Sequence, residues 1–228
     1  MSLLRGAARR KYGSRTMSTV SMSTVSVRPS VGARFRDLVR AEPPDRRAIT
    51  AFLDGLSHVE RVEAMRALGG ARLQARLYAA VAGAPRVTLT DLVPPDAPPL
   101  REVIFEGKNS LPAFTLFQKR FCRPSAGGRG ELWGYNHQNL AWLTGPGYFV
   151  VHDDDAGAAI DYREVPPGHP PTWPEVRSNH RGFSRFVYDD MVDYLRRVSA
   201  DVFIGRAHRA GKPRSNYFLL CREPDRET

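Results

Sequence analysis

The densest run of hydrogen-bonding side chains in this sequence of 228 residues is Tyr135-Asn136-His137-Gln138. An imidazole titrates near neutrality and coordinates metals through either ring nitrogen, so His137 is the residue type for a general base or a haem-iron ligand, with a satisfied structural or surface histidine as the plain alternative. Arg120, Arg206 and His208 add fixed or switchable cations in segments that alternate polar and apolar residues. A guanidinium offers two parallel donors to a carboxylate. If Arg120, Trp133, Tyr135, Arg206 and His208 turn to the inside of a small barrel, they line a pocket for a ligand with an apolar body and an anionic head. If they turn outward, they are ordinary exposed surface. Lys108 and Asn109, in the polar stretch Phe105–Pro112, either close over such a ligand or simply form a turn. Proton transfer on a bound organic acid by Tyr135, His137 and Arg120 is the enzymatic alternative.

Other candidate motifs lack the features their chemistry needs. Thr144-Gly145-Pro146-Gly147-Tyr148 has no Gly-Lys-Ser/Thr end and leads towards a strand, so it reads as a hairpin turn and not a phosphate loop. His152-Asp153-Asp154-Asp155 lacks the spaced carboxylates of a calcium loop and reads as a solvated turn, and no metal site is expected. No Gly-x-Ser-x-Gly elbow is present. Cys122 and Cys221 match no redox or metal spacing and read as small buried hydrophobes.

The elements that position these residues fall into two parts. A short helix is expected around Val31–Arg40, and Asp45 caps a second helix running to about Leu56. Ser57-His58-Val59-Glu60 is a capping box that opens a third helix, with Val59, Val62, Met65 and Leu68 on one stripe. A fourth helix spans 71–82. Residues 84–101, with five prolines, form a connector. From Glu102 the period falls to two. Strands are expected at 103–107, 113–123, 131–136, 140–144, 148–152, 159–165, 183–188, 202–208 and 216–222. Residues 166–179 are too proline-rich for an interior strand and form a long loop pinned by Trp173. A short helix after Tyr188 is expected to use Asp189 as its cap and to pair Asp193 with Arg196 or Arg197.

Residues 181–223 carry Arg181, Gly182, Val187, Tyr188, Asp189, Asp193, Arg196, Val198, Gly205, Gly211, Tyr217, Phe218, Leu220 and Arg222 in an order that resembles the C-terminal half of bacterial GXWXG-type proteins. Lys119-Arg120-Phe121 is similar to a strand of that family, with Gln118 in place of a glycine, and the GXWXG signature itself is absent. The resemblance implies a lipocalin-like (calycin) barrel and carries no activity. The chain as a whole also resembles an uncharacterised bacterial family. The expected fold class is therefore α+β, mainly β: an antiparallel lipocalin-like barrel or strongly curled sheet over 102–228, preceded by a small helical subdomain at 31–83. The expected function is non-covalent binding of a small, partly apolar ligand, neutral or anionic; a barrel filled with side chains is the structural alternative.

Charge sets limits on partners. The net charge is +10, and half of it lies in residues 1–16, where Arg5, Arg9, Arg10, Lys11 and Arg15 have no acidic neighbour. The rest is too weakly basic to imply a specific nucleic-acid partner. Residues 1–30 read as a basic disordered tail containing the repeat MSTVS-MSTVS, with a transit peptide as the alternative. No run of apolar residues reaches membrane-spanning length, and two isolated cysteines suit a reducing compartment, so a cytoplasmic location without a resident cofactor is expected.

Overall fold

The computed structural model describes residues 29–112, 115–125, 130–138, 145–179 and 188–224. Four helices come first: α1 (Val31–Arg40), α2 (Arg46–Asp54), α3 (His58–Arg66) and α4 (Ala71–Ala80). Their ends are set by local chemistry. Ser30 accepts from Ala33 N–H, Asp45 from Arg47 and Ala48, and Ser57 and Glu60 complete the reciprocal box at the start of α3. Val62 and Met65 on α3 and Leu68 just past its end are buried as the stripe requires. Val59 is not: it is 76% exposed.

Eight antiparallel strands follow, each paired with its neighbours in chain order, and β8 closes on β1 to make a barrel. They are β1 (Val103–Asn109), β2 (Leu116–Cys122), β3 (Glu131–His137), β4 (Tyr148–Asp154), β5 (Gly157–Asp161), β6 (Met191–Arg197), β7 (Val202–Arg209) and β8 (Lys212–Arg222). The β7–β8 hairpin turns through Ala210 and Gly211, both at positive φ, the pattern of a two-residue primed turn. The strands expected at 140–144 and, except for Tyr188, at 183–188 lie outside the described residues.

One expected element is overturned. Met191–Arg197 is strand β6, not a short helix. Its side chains alternate, with Asp193 and Leu195 inside and Tyr194 and Arg196 outside, and it satisfies its backbone against β5 and β7. The helical spacing of Asp193 to Arg196 and Arg197 was therefore incidental, because the ladder on both sides decides the backbone.

Three coverings bury the barrel wall and one end. Helices α1–α4 pack their apolar stripes on the outer faces of β7 and β8, where Val202, Ile204, Leu219 and Cys221 join Phe35, Leu53, Met65 and Leu77 in one cluster. The proline-rich stretch after β5 lays Trp173 over Trp133, Tyr135, Tyr148 and Val150. The connector forms a single helical turn, α5 (Leu89–Leu92), and Leu92, Val93 and Val87 plug one barrel end against the interior cluster of Phe105, Phe121, Phe149 and Phe203. Asp91 of the plug pairs with Arg197, and Arg123 donates to the carbonyls of Val93 and Pro94.

Inside, three phenylalanine rings lie across glycines directly opposite them in the ladder: Phe117 over Gly107, Phe149 over Gly134 and Phe218 over Gly205. A β-carbon at Gly134 would stand 2.2 Å from the Phe149 ring and 2.6 Å from the Arg120 carbonyl oxygen. Gly134→Ala is therefore expected to destabilise the fold by roughly 1–3 kcal/mol through overpacking. Gly69→Ala, where a β-carbon meets nothing within 4 Å, should stay within about 0.5 kcal/mol of wild type. Urea unfolding followed by circular dichroism checks both.

Candidate functional site

Inward alternation on β2 places Phe117, Lys119 and Phe121 inside the barrel, and Lys119 is 2% exposed. An ammonium taken out of water costs several kcal/mol unless its donors are satisfied, on the order of the penalty known for buried ions. The fold supplies partners from three further elements. Asn136, opposite Lys119 in the β2–β3 ladder, accepts from Nζ at 2.9 Å. The Tyr162 hydroxyl, just past β5, also accepts from Nζ. Asp193 of β6, 3% exposed, brings Oδ2 to 3.6 Å. The rings of Phe149, Tyr162, Phe218 and Phe117 stand 4.9, 4.9, 5.0 and 5.7 Å from Nζ, within cation–π range.

The cluster is internally braced. Asn136 donates through Nδ2 to the Tyr162 hydroxyl at 3.0 Å and to the Gly147 carbonyl at 3.3 Å. Tyr162 stacks on Tyr188 at 5.1 Å. One atom stands out: Asp193 Oδ1 is buried and accepts no hydrogen bond from the described residues. Burial lowers the Lys119 ammonium to about 8 against the pull of Asp193, and the same burial raises the Asp193 carboxyl against the pull of Lys119. Burial thus narrows the gap between the ion pair and the neutral amine–acid form. It also raises the Tyr162 hydroxyl far above its ordinary range, so Tyr162 stays protonated.

These groups form the floor of a cavity of about 350 Å³ in the barrel end opposite the plug. Its walls are Phe117, Phe218, Tyr162, Tyr188, Met191 and Ala207, and Arg209 and Arg214 stand at the mouth. Its volume falls within the ~300–1,000 Å³ of small-molecule sites.

Of the candidates expected from sequence, only Asn109 lines this cavity. Lys108 belongs to the outer set of β1, where its carbonyl accepts from Gln74 and ties the helices to the barrel. Arg120, Trp133, Tyr135 and His137 do come together, but on the outside of β2 and β3. Arg120 is held by Glu102 at 3.0 Å and by Gln118, Trp133 donates to Glu131, and Tyr135 packs on Trp173 at 4.8 Å. The imidazole of exposed His137 stands 3.5 Å from the Tyr135 hydroxyl, and partial burial with the Arg120 charge lowers its basicity. His137 is therefore remote from the cavity in which a haem would have to sit. Arg206 and His208 are outside β7: Arg206 donates to the Arg214 carbonyl and lies 5.5 Å over Tyr217, and His208 meets Tyr194 edge-on.

The inward placement failed for a physical reason. On β3 and β7 the outer faces are themselves covered, by the Trp173 segment and by the helices, so both faces look apolar in sequence. On β2 the sign was legible: Phe117-x-Lys119-x-Phe121 is an apolar face interrupted by a cation. Asp193 was hidden by the helical reading of β6; Tyr162 fell within the strand expected at 159–165, but nothing in its neighbours in the chain marked it as a site residue. Among the described residues, no group of three or more His, Cys, Asp or Glu side chains is arranged to hold a metal.

Lys119→Met removes one member of a buried pair and leaves Asp193 uncompensated, which should cost about 3–5 kcal/mol, whereas Lys119→Met with Asp193→Leu removes both charges and should recover most of that loss. Thermal and urea denaturation of the two variants measures the difference. No family model, curated protein or solved structure matches the chain.

Proposed function

We propose that the protein is a non-covalent binder of a small, partly apolar ligand held in the open half of the barrel, in keeping with its lipocalin-like resemblance. The observation that carries this reading is the cavity of about 350 Å³ ending on a buried polar cluster in which Asp193 Oδ1 lacks a donor among the described residues. A filled barrel would put large apolar side chains at every inward position. The plugged half does so with Phe105, Phe121 and Phe203, but towards the open end the inward positions lining the cavity include Ala207, Asn109 and Asn136.

The lining selects the ligand's chemistry. Phe117, Phe218 and Tyr188 accept a flat or aliphatic body. The floor offers a donor at Lys119 and an acceptor at Asp193, which fits a neutral polar group better than a bare anion, because the floor pair carries no net charge. Anionic character belongs at the mouth, beside Arg209 and Arg214, with Lys212 next to them on the β7–β8 hairpin. A positive mouth also accelerates encounter with anions.

Isothermal titration and thermal-shift assays with 3-phenylpropan-1-ol and 3-phenylpropionate test this reading, alongside native mass spectrometry for a co-purifying mass. Both probes are expected to bind and raise the melting temperature; at a hundredfold excess over Kd the stabilisation is about 2.7 kcal/mol. Ala207→Phe, which fills the cavity, should weaken binding at least tenfold, and Val59→Ser, on the far surface of α3, should not change it. Undiminished affinity in a folded Ala207→Phe protein, or no binding of either probe, would refute the proposal.

A further inference from the structure

We propose that Lys119 is a covalent capture site whose Nζ condenses with the carbonyl group of a small aldehyde or ketone held in the cavity. This inference rests on the binding reading of the same cavity. It extends that reading from shape to reaction and names the ligand class as carbonyl compounds with a short aryl or alkyl body.

Four features of the floor point the same way. Lys119 is buried and is one of the residues that line the inner end of the cavity. A lysine desolvated among aromatic rings is the usual form of an imine-forming amine, because the neutral amine is the nucleophile. The depressed basicity of Lys119 and the raised carboxyl of Asp193 agree with this. Asp193 stands 3.6 Å from Nζ, as a proton reservoir before reaction and a counter-ion after it. Asp193 Oδ1 is buried and has no donor among the described residues, so its acceptor capacity is unspent within the floor.

The step balances without an outside reagent. In the neutral form of the pair, the Nζ lone pair attacks the carbonyl carbon, the C–N bond forms and the carbonyl π electrons move to oxygen. A proton passes from nitrogen to that oxygen by way of Asp193, giving the carbinolamine. The Asp193 acid then protonates the hydroxyl, which leaves as water while the nitrogen lone pair forms C=N. The products are a protonated imine on Lys119, the Asp193 carboxylate beside it and one water. Asn136 and the Tyr162 hydroxyl, already in contact with Nζ, orient the amine before attack. A buried pair serving stability alone would gain from apolar replacement, and nothing in that role calls for a ligand-sized space above it.

The chain contains its own controls, because its lysines are Lys11, Lys108, Lys119 and Lys212. The full chain is incubated with 3-phenylpropanal and sodium cyanoborohydride at neutral pH, and the reduced adduct is located by intact mass and peptide mapping. Lys119 is expected to be modified at least tenfold faster than Lys108 or Lys212. Excess 3-phenylpropan-1-ol should suppress the Lys119 adduct alone. The Lys119→Met/Asp193→Leu double variant should lose that adduct and keep the slow background, and the wild-type map decides the matter should the variant not fold. Labelling of Lys119 no faster than of Lys108 and Lys212, with the alcohol still bound, overturns covalent capture and leaves the non-covalent reading standing. If neither the alcohol nor the aldehyde binds or labels the cavity, both fall together.

Discussion

The cost of holding a lysine in a dry interior governs this structure. A single ammonium inside a barrel would be expelled by desolvation unless several elements converged on it. Lys119 is retained because β3, β6 and the residue after β5 each contribute a polar group while four aromatic rings enclose it. That convergence requires a closed barrel, since Asn136 is a ladder neighbour of Lys119 and Asp193 reaches it from across the interior. The compensation is incomplete at Asp193 Oδ1, which is buried without a donor among the described residues, so an otherwise hydrophobic cup has a polar floor.

The two halves of the interior have different tasks. Towards the plug, Phe105, Phe121, Phe149 and Phe203 pack against Leu92 and Val93, giving the rigid base against which the polar cluster is held. Towards the mouth, glycine and alanine keep the wall thin. The Phe117 and Phe218 rings lie across Gly107 and Gly205 and line the cavity. Rigidity and room are thus divided along the barrel axis, as a preorganised binding site requires.

The legible parts of the sequence were those decided by neighbours in the chain. Helix caps at Asp45 and Ser57 and most strand positions follow from interactions a few residues apart. Of the two placements open to Arg120, Trp133, Tyr135, Arg206 and His208, the structure takes the outward one. Choosing the inward face of a strand from its own residues assumes that the outer face meets water. Here helices α1–α4 cover β7 and β8, and Trp173 covers β3 and β4, so Ile204 and Trp133 are buried without being inside. Arg120 and Tyr135 lie in an ion-paired, tryptophan-roofed seam outside the barrel.

The sequence by itself determined the helical lead, the proline-rich connector and the antiparallel strands, because capping and period-two patterning act over short range. It also placed a lysine between two phenylalanines on one face of β2, which already marks that cation as exceptional. Only the tertiary structure decided that the sheet closes, that Met191–Arg197 is a strand, and that Lys119, Asn136, Tyr162 and Asp193 meet. Those contacts join residues far apart in the chain, and the desolvation that sets their protonation belongs to the closed barrel and to no segment of it.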